Sequence, residues 1–591
     1  MATRLKEVDA VMVGMGWTGS IMARELTKAG LQVLGLERGE DVTPREHFAM
    51  PNIRDELRYT NRLEMIQDPA METVTFRHRP SESAMPMRRM GSFLPGNSVG
   101  GAANHWGGQH WRYLPSDHVT RSHIVNRYGE KFIPADMTIQ DWAMTYDELE
   151  PYYDRFDRLC GVSGQAGNIQ GRKIDGGNVF EGPRSRDYPN PALEMTESAL
   201  MYAKAAKELG YHPFPQPTSN VSRPYVNSEG LTLGGCQYCG FCERAGCEAN
   251  AKAGPHICIM PLLRAEPKFT LRARSWVSRL LYDKAARKVT GVVYTDTRTG
   301  EEYEQPAGLV VLSAYVFGNV SLMLHSGISE PYEPATQKGA VGRNYCYQLS
   351  RIGISMFFEN KQFNPFMGAP GTMMVIDDFD GDNFDHGALG FVGGCRIQCG
   401  HSDGRPINYR PVPPGTPRWG SAWKKATVKW YQGATRVGMS GSNYANRYNY
   451  LDLDPTYKDQ LGRPLLRMTY NFVDNDYKVM EFCMSKAVEI ARAMNPTILG
   501  QPGVRRGDYD IVPYQSTHNT GGTIMGTDPK TSVVNRYLQS WDAHNLFIMG
   551  ASTFPQQPAY NPTGPLGALA YWSADAIVSK YLKNPAPLMH A

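Results

Sequence analysis

The apolar positions of the chain change their period several times, and each change predicts an element. Val8-Asp9-Ala10-Val11-Met12-Val13 is a short apolar run with the character of a buried strand. Residues 19–29 follow a helical period and 31–36 read as a second strand, so the N-terminus predicts one βαβ unit. Residues 40–95 carry Arg, Met and Pro without periodicity and predict long loops. Residues 96–112 are Gly-rich, with Asn, His and Trp among them. Helices are expected at 145–160, 196–210 and 476–494, with irregular Gly- and Pro-rich chain over 161–195. Short β runs are expected at 270–272, 275–277, 290–294 and 308–312. Residues 346–470 mix aromatic, Gly and polar positions, as a large antiparallel sheet does. The last eighty or so residues return to strand, turn and helix, with 585–591 a loose tail or a docking segment. No internal repeat or low-complexity segment interrupts this.

Composition narrows the class. The 591 residues suffice for two or more domains with ample core. At 41% hydrophobic and 20% charged they match a soluble globular protein. A net charge of +4 is too small to argue for nucleic acid or an anionic membrane. No apolar run reaches the length of a membrane-spanning helix. The first residues, Met1-Ala2-Thr3-Arg4-Leu5-Lys6, lack a secretory signal. The expectation is a cytoplasmic protein, or one exported folded with a partner that carries the signal.

The first chemical motif lies inside the βαβ unit. Gly14-Met15-Gly16-Trp17-Thr18-Gly19 follows the first strand and opens the helix, and Glu37 closes the second strand. Gly14 permits the tight turn, Gly16 lets backbone approach a pyrophosphate, and Gly19 lets helix and strand pack closely. The helix N-terminus offers free N–H groups to phosphate, and Glu37 can accept from a ribose. The motif identifies a dinucleotide site and does not separate FAD from NAD.

The second is Cys236-x2-Cys239-x2-Cys242-x4-Cys247, four of the chain's ten cysteines in a Gly-containing loop. Thiolates this close can converge on one metal centre. An iron–sulfur cluster is the favoured reading, with structural zinc, disulfides or free thiols as alternatives. Cys395-x3-Cys399 has only His401 beside it and is expected to be packing or free thiols.

Further motifs bring a resemblance. Gly100-Gly101-Ala102-Ala103-Asn104-His105-Trp106, with the later Arg112, resembles the flavin-contacting loop of the glucose–methanol–choline (GMC) oxidoreductases. Leu312-Ser313-Ala314 through Ser326-Gly327-Ile328 is similar to that family's second signature, and Val341-Gly342-Arg343-Asn344 to the turn after it. His518-Asn519-Thr520-Gly521-Gly522-Thr523 and Asn561-Pro562-Thr563 are similar to its catalytic segment. The matches keep the family's order over nearly the whole chain. Stretches from Gly91-Ser92-Phe93-Leu94-Pro95-Gly96-Asn97 and Cys239-Gly240-Phe241-Cys242-Glu243-Arg244 most resemble the large flavoprotein subunits of membrane-associated gluconate 2-dehydrogenases.

The resemblance implies a mixed α/β fold: a Rossmann-like FAD-binding domain and a substrate domain built on an antiparallel sheet. It divides the chain into FAD-binding segments 1–125, 200–345 and 510–591 and substrate segments 126–199 and 346–509. The 40–95 loops would lie over the flavin, and an iron–sulfur loop would occupy about 230–256. It implies FAD contacts from the fingerprint residues and from Arg38, Gly100, Gly101, Asn104, His105, Trp106, Val277, Gly550, Ala551, Asn561 and Thr563. His105 either attaches the flavin covalently, as in some relatives, or packs on its ring.

Oxidising an alcohol needs a hydride acceptor, which flavin supplies, and a base for the hydroxyl proton. The resemblance places that base at His518 and its partner, which holds the substrate oxygen, at Asn561. It further implies a secondary alcohol of a sugar acid or polyol as substrate, D-gluconate to 2-keto-D-gluconate first, with 2-keto-D-gluconate, sorbitol or fructose as alternatives. Relatives hold a 3Fe–4S centre on three thiolates, which would leave one cysteine spare, Cys239 being the choice. Four thiolates also suit a 4Fe–4S centre. The partners implied are a multihaem cytochrome c subunit and a small subunit with a twin-arginine signal, in a periplasmic complex on the inner membrane. An oxygen-using oxidase and a non-catalytic electron-transfer subunit are the competing functions. The cysteine loop argues against the first, and His518 with Asn561 against the second.

Overall fold

A computed structural model of the chain describes residues 2–48, 65–66, 68, 73–87, 93–401 and 409–588. The βαβ unit is present as strand Val8–Val13, helix Trp17–Lys28 and strand Val33–Leu36. It belongs to an eight-stranded sheet. Phe269–Arg272, Val33–Leu36, Val8–Val13 and Glu302–Leu312 run parallel, with Ala10 opposite Val33 and Leu309 opposite Ala10. Lys288–Asp296 and Ser275–Asp283 extend the sheet antiparallel. Leu546–Ile548 returns from the C-terminal segment to pair in parallel with Glu302–Leu312. The central strands are buried on both faces, which is why they read as continuous apolar runs.

Gly14 and Gly19 fix the turn into the first helix. Gly14 has φ +93°, and a Cβ there would stand 2.5 Å from the Ser313 carbonyl oxygen; one on Gly19 would stand 2.0 Å from the Gly14 oxygen. The helix Tyr146–Cys160 begins where Thr145 and Glu148 bond reciprocally and ends at left-handed Gly161. It packs with helix Trp17–Lys28 around the apolar helix Thr563–Ser579.

A second, six-stranded sheet is antiparallel throughout. Its order is Phe214–Pro215, Met374–Ile376, Cys395–Cys399, Ala434–Gly441, Leu349–Phe357, Ile498–Leu499. The helices Glu197–Glu208 and Asp474–Ala493 cover it. A four-stranded sheet joins Tyr450–Lys458 and Pro464–Thr469 to Thr75–Arg77 and Met85–Pro86. The mixed fold with an antiparallel second sheet is therefore as expected.

Two expectations meet a different outcome, and a third resolves between its alternatives. Cys395 is not a free thiol: it is disulfide-bonded to Cys483 of the helix behind its strand. The partner lies 88 residues away, so no local spacing signals the bond. Cys399 is a buried free thiol, as expected. Of the long loops expected over 40–95, residues 49–64, 67, 69–72 and 88–92, Gly91 and Ser92 among them, lie outside the described residues, and the described part holds the short helix Pro44–His47 and the strands Thr75–Arg77 and Met85–Pro86 where the sequence shows no period. The C-terminal segment is docked as far as Leu588. The Leu588 N–H donates to Gln539 Oε1 at 2.7 Å and its carbonyl accepts from Asn535 Nδ2 at 3.2 Å.

Candidate active site

A cavity of about 630 Å³ runs from the fingerprint turn to the second sheet. Gly14, Gly16, Trp17 and Thr18 line one end, with Glu37, Arg38 and Val277 beside them. Glu37 is buried and holds two backbone N–H groups, of Met15 at 3.0 Å and Gly39 at 2.9 Å. Burial raises its pKa, and those bonds work against the rise. Trp276 has the guanidinium groups of both Arg38 and Arg463 near its ring, at 5.9 and 5.2 Å from the centroid.

Gly100, Gly101, His105 and Trp106 line the middle, and Gly550, Ala551, Asn561 and Thr563 the far wall. No atom lies within 4 Å of where a Gly16 side chain would begin, and Gly101 faces it across the gap. The Nε2 of buried His105 and the Nε1 of Trp17 have no hydrogen-bond partner. Open glycine backbone and unspent buried donors suit an elongated, polar-edged cofactor such as a flavin dinucleotide. Burial, then nearby Lys252, lowers His105 to about 4, so its ring is neutral. Asn104 does not line the cavity; its Nδ2 braces Ser98 Oγ at 2.9 Å and Val99 O at 2.8 Å. Arg112 likewise turns away from the cavity, toward Asp157 and Glu150.

His518 and Asn561 meet at the second sheet. Asn561 Nδ2 lies 3.0 Å from His518 Nε2. On the other side, His518 Nδ1 lies 2.6 Å from Gln348 Oε1. Two fixed groups set every orientation here. The Ala559 carbonyl can only accept, and it takes the Gln348 amide N–H, leaving Gln348 Oε1 for the histidine. Arg396 can only donate, and it bonds Asn561 Oδ1 at 2.6 Å, turning the Asn561 amide nitrogen to the histidine. His518 therefore carries its proton on Nδ1 and presents a lone pair at Nε2. Arg396 Nε reaches the same Ala559 oxygen at 3.3 Å, which closes the ring. Burial, reinforced by the Arg396 charge, lowers His518 to about 3 and keeps it an unprotonated base. Gln348 and Arg396 are not legible in the sequence because each sits in or beside a strand, and the Cys395-x3-Cys399 spacing around Arg396 speaks of thiols and not of a buried charge.

The cysteine loop touches this cavity through Cys242, which is buried, while Cys239 is exposed. All four of its cysteines are free thiols. Among the described residues, no three His, Cys, Asp or Glu side chains form a group that could hold a metal ion. The loop has other features that suit anionic sulfur. The N–H groups of Tyr238 and Ala251 point at Cys236 and Cys247 Sγ, at 3.5 and 3.3 Å. Asn220 Nδ2 lies 3.7 Å from Cys242 Sγ. Lys252 is fully buried, its ammonium held by the carbonyls of Trp106, Cys242 and Ala245 at 2.7–2.8 Å.

Comparison with known proteins gives the family. Residues 196–350 and 445–570 match the GMC oxidoreductase family. The chain is 48% identical to the gluconate 2-dehydrogenase flavoprotein of Pantoea cypripedii, over 100% of this chain and 97% of that one. It belongs to the GMC oxidoreductases and is an FAD-dependent oxidoreductase acting on CH–OH donors. It is also 25% identical to the fructose dehydrogenase large subunit of Gluconobacter japonicus, over 98% of this chain and 99% of that one. The fold matches formate oxidase of Aspergillus oryzae RIB40 with a TM-score of 0.61 at 16% identity, covering 98% and 100% of the two chains.

Proposed function

We propose that this protein is a sugar-acid dehydrogenase that oxidises the C2 hydroxyl of D-gluconate, His518 taking the hydroxyl proton. The observation that carries the reading is the unprotonated His518 Nε2, oriented by Gln348 and paired with Asn561 at the cavity wall. Bound FAD supplies the hydride acceptor. Trp17, Gly16 and the helix N-terminus would hold its pyrophosphate, and His105 would contact or bond its ring. Asn561 Nδ2 donates to the substrate oxygen, and His518 Nε2 receives the proton as the C–H bond is broken.

Cys236, Cys239, Cys242 and Cys247 would hold an iron–sulfur cluster, 3Fe–4S or 4Fe–4S, whose chemistry is one-electron transfer. The destination of the electrons is a multihaem cytochrome c subunit, in a periplasmic complex with a small twin-arginine subunit. The Cys395–Cys483 disulfide supports an oxidising compartment. The likeness to a gluconate 2-dehydrogenase flavoprotein supports the substrate.

The test is anaerobic mixing of the purified protein with D-gluconate while following flavin absorbance. Rapid bleaching is expected, slowed about 10²- to 10⁴-fold by His518→Ala. Bleaching by sorbitol, fructose or 2-keto-D-gluconate alone would move the substrate and keep the mechanism. Bleaching that survives His518→Ala unchanged would remove the base. Iron and acid-labile sulfide in the protein would support the cluster, and zinc in their place would exclude it.

A further inference from the structure

Arg396 lies in the second sheet's wall of the cavity and is only 1% exposed. All five of its N–H donors are engaged. Nε meets Ala559 O, Nη1 meets Gln216 Oε1 at 3.3 Å and Gln398 Oε1 at 2.8 Å, and Nη2 meets Gln109 Oε1 at 2.8 Å and Asn561 Oδ1. Every one of these acceptors is neutral. A buried guanidinium ordinarily faces a carboxylate, because dipoles alone leave its charge poorly compensated. The Asp377 and Asp380 carboxyls come near it without bonding to it. Burial raises both, Asp380 to about 8, and Asp377 Oδ2 is engaged instead by Asn178 Nδ2 and the Tyr560 hydroxyl.

We infer that Arg396 is an anion subsite that receives the substrate's carboxylate. The inference rests on the sugar-acid reading above and deepens it. The fork of Nη1 and Nη2 suits the two oxygens of a carboxylate. Gln109 and Gln398 both line the cavity and yield their oxygens by rotating, which turns their amide N–H groups toward the incoming anion. The bond to Asn561 stays. A single amide, that of Asn561, separates Arg396 from His518. An α-hydroxyl and its carboxylate are spaced on the same scale. A substrate anchored at Arg396 thus brings to His518 the hydroxyl next to its carboxyl group, not one further along the chain.

D-Gluconate and D-sorbitol test this, since they differ only in carboxylate against hydroxymethyl at C1. In the wild-type holoenzyme, kcat/KM for anaerobic flavin reduction should favour D-gluconate. Arg396→Gln should lower the gluconate value about 10- to 100-fold relative to sorbitol, the range of one charge-assisted hydrogen bond. Arg396→Lys should restore part of that preference. A purely structural arginine would depress both substrates alike, and an unchanged ratio overturns the inference. Calorimetry with D-gluconate and the dithionite-reduced enzyme, where no hydride transfer can follow, reads binding alone. Affinity should fall at least about 10-fold in Arg396→Gln, and equal affinity overturns the subsite. Wild-type protein reduced by neither compound would sink the functional reading, while the binding experiment would still decide the subsite.

Discussion

Two of the sites at which the molecule buries arginine treat the charge in opposite ways. Near the helix Tyr146–Cys160, Arg112 and Arg184 converge on one carboxylate. Arg112 donates twice to Asp157 Oδ2, at 3.0 and 2.7 Å, and Arg184 once at 2.6 Å. Burial pushes Asp157 up, but Arg112 and then Arg184 pull it well below the ordinary carboxylate range. At the cavity, Arg396 is as deeply buried and has no carboxylate partner among its five contacts. The first arrangement is complete within the chain. On the inference above, the second takes its counter-charge from outside the chain, so the partner a buried charge lacks points to what its site is for.

The strongest way to break that contrast is Asp157→Asn. It would take the shared carboxylate from two buried guanidinium groups, leaving Arg112 only its Glu150 hydrogen bond, and should cost about 3–5 kcal/mol of stability, read by denaturant unfolding. The sign with pH follows: Asp157 has a depressed pKa, so its contribution is present at neutral pH and lost as pH falls through the carboxylate range. A variant as stable as wild type would mean the cluster holds nothing together.

Next in size is Gln348→Leu. It removes the acceptor that fixes the His518 tautomer and should lower the flavin-reduction rate about 10²-fold with little change in KM. A KM effect without a rate effect would place Gln348 in binding instead. Arg396→Met is the counterpart of the Asp157 experiment. Its partners Gln109, Gln398 and Asn561 line the cavity and reach water once released, so stability should drop by only about 1 kcal/mol. A loss as large as that of Asp157→Asn would erase the distinction.

The last test is Asp380→Asn, whose effect is confined to one end of the pH range. The Asp380 pKa is raised to about 8, so its folded form is fully favoured only below the unfolded value near 4, and that advantage is lost as pH climbs to 8. The variant should match wild type near pH 4 and be the more stable of the two at pH 8. Thermal melts at both values decide it.

What could be read in advance follows from how local each signal is. The fingerprint turn was legible because Gly14, Gly16 and Gly19 act within six residues, and Glu37 closes the next strand. The helix Tyr146–Cys160 was legible from its period. His518 and Asn561 were visible only through the family resemblance, since nothing around either residue dictates a catalytic role. Gln348, Arg396 and Trp276 were not legible: their roles arise from strands brought together across the fold. The same holds for Cys395, whose partner is remote, and for Arg112, whose charge is spent on Asp157 and not on a cofactor.

The hydrogen-bond ring around His518 has one further consequence. It runs from a pure source, Arg396, along two arms to a pure sink, the Ala559 oxygen, and only one polarity satisfies every link. A proton arriving at His518 Nε2 sets donor against donor at Asn561, so the circuit holds an odd proton it cannot accommodate. Turnover leaves the site frustrated, and shedding that proton restores its parity. The resting arrangement is thus also the reset that readies the base for the next alcohol.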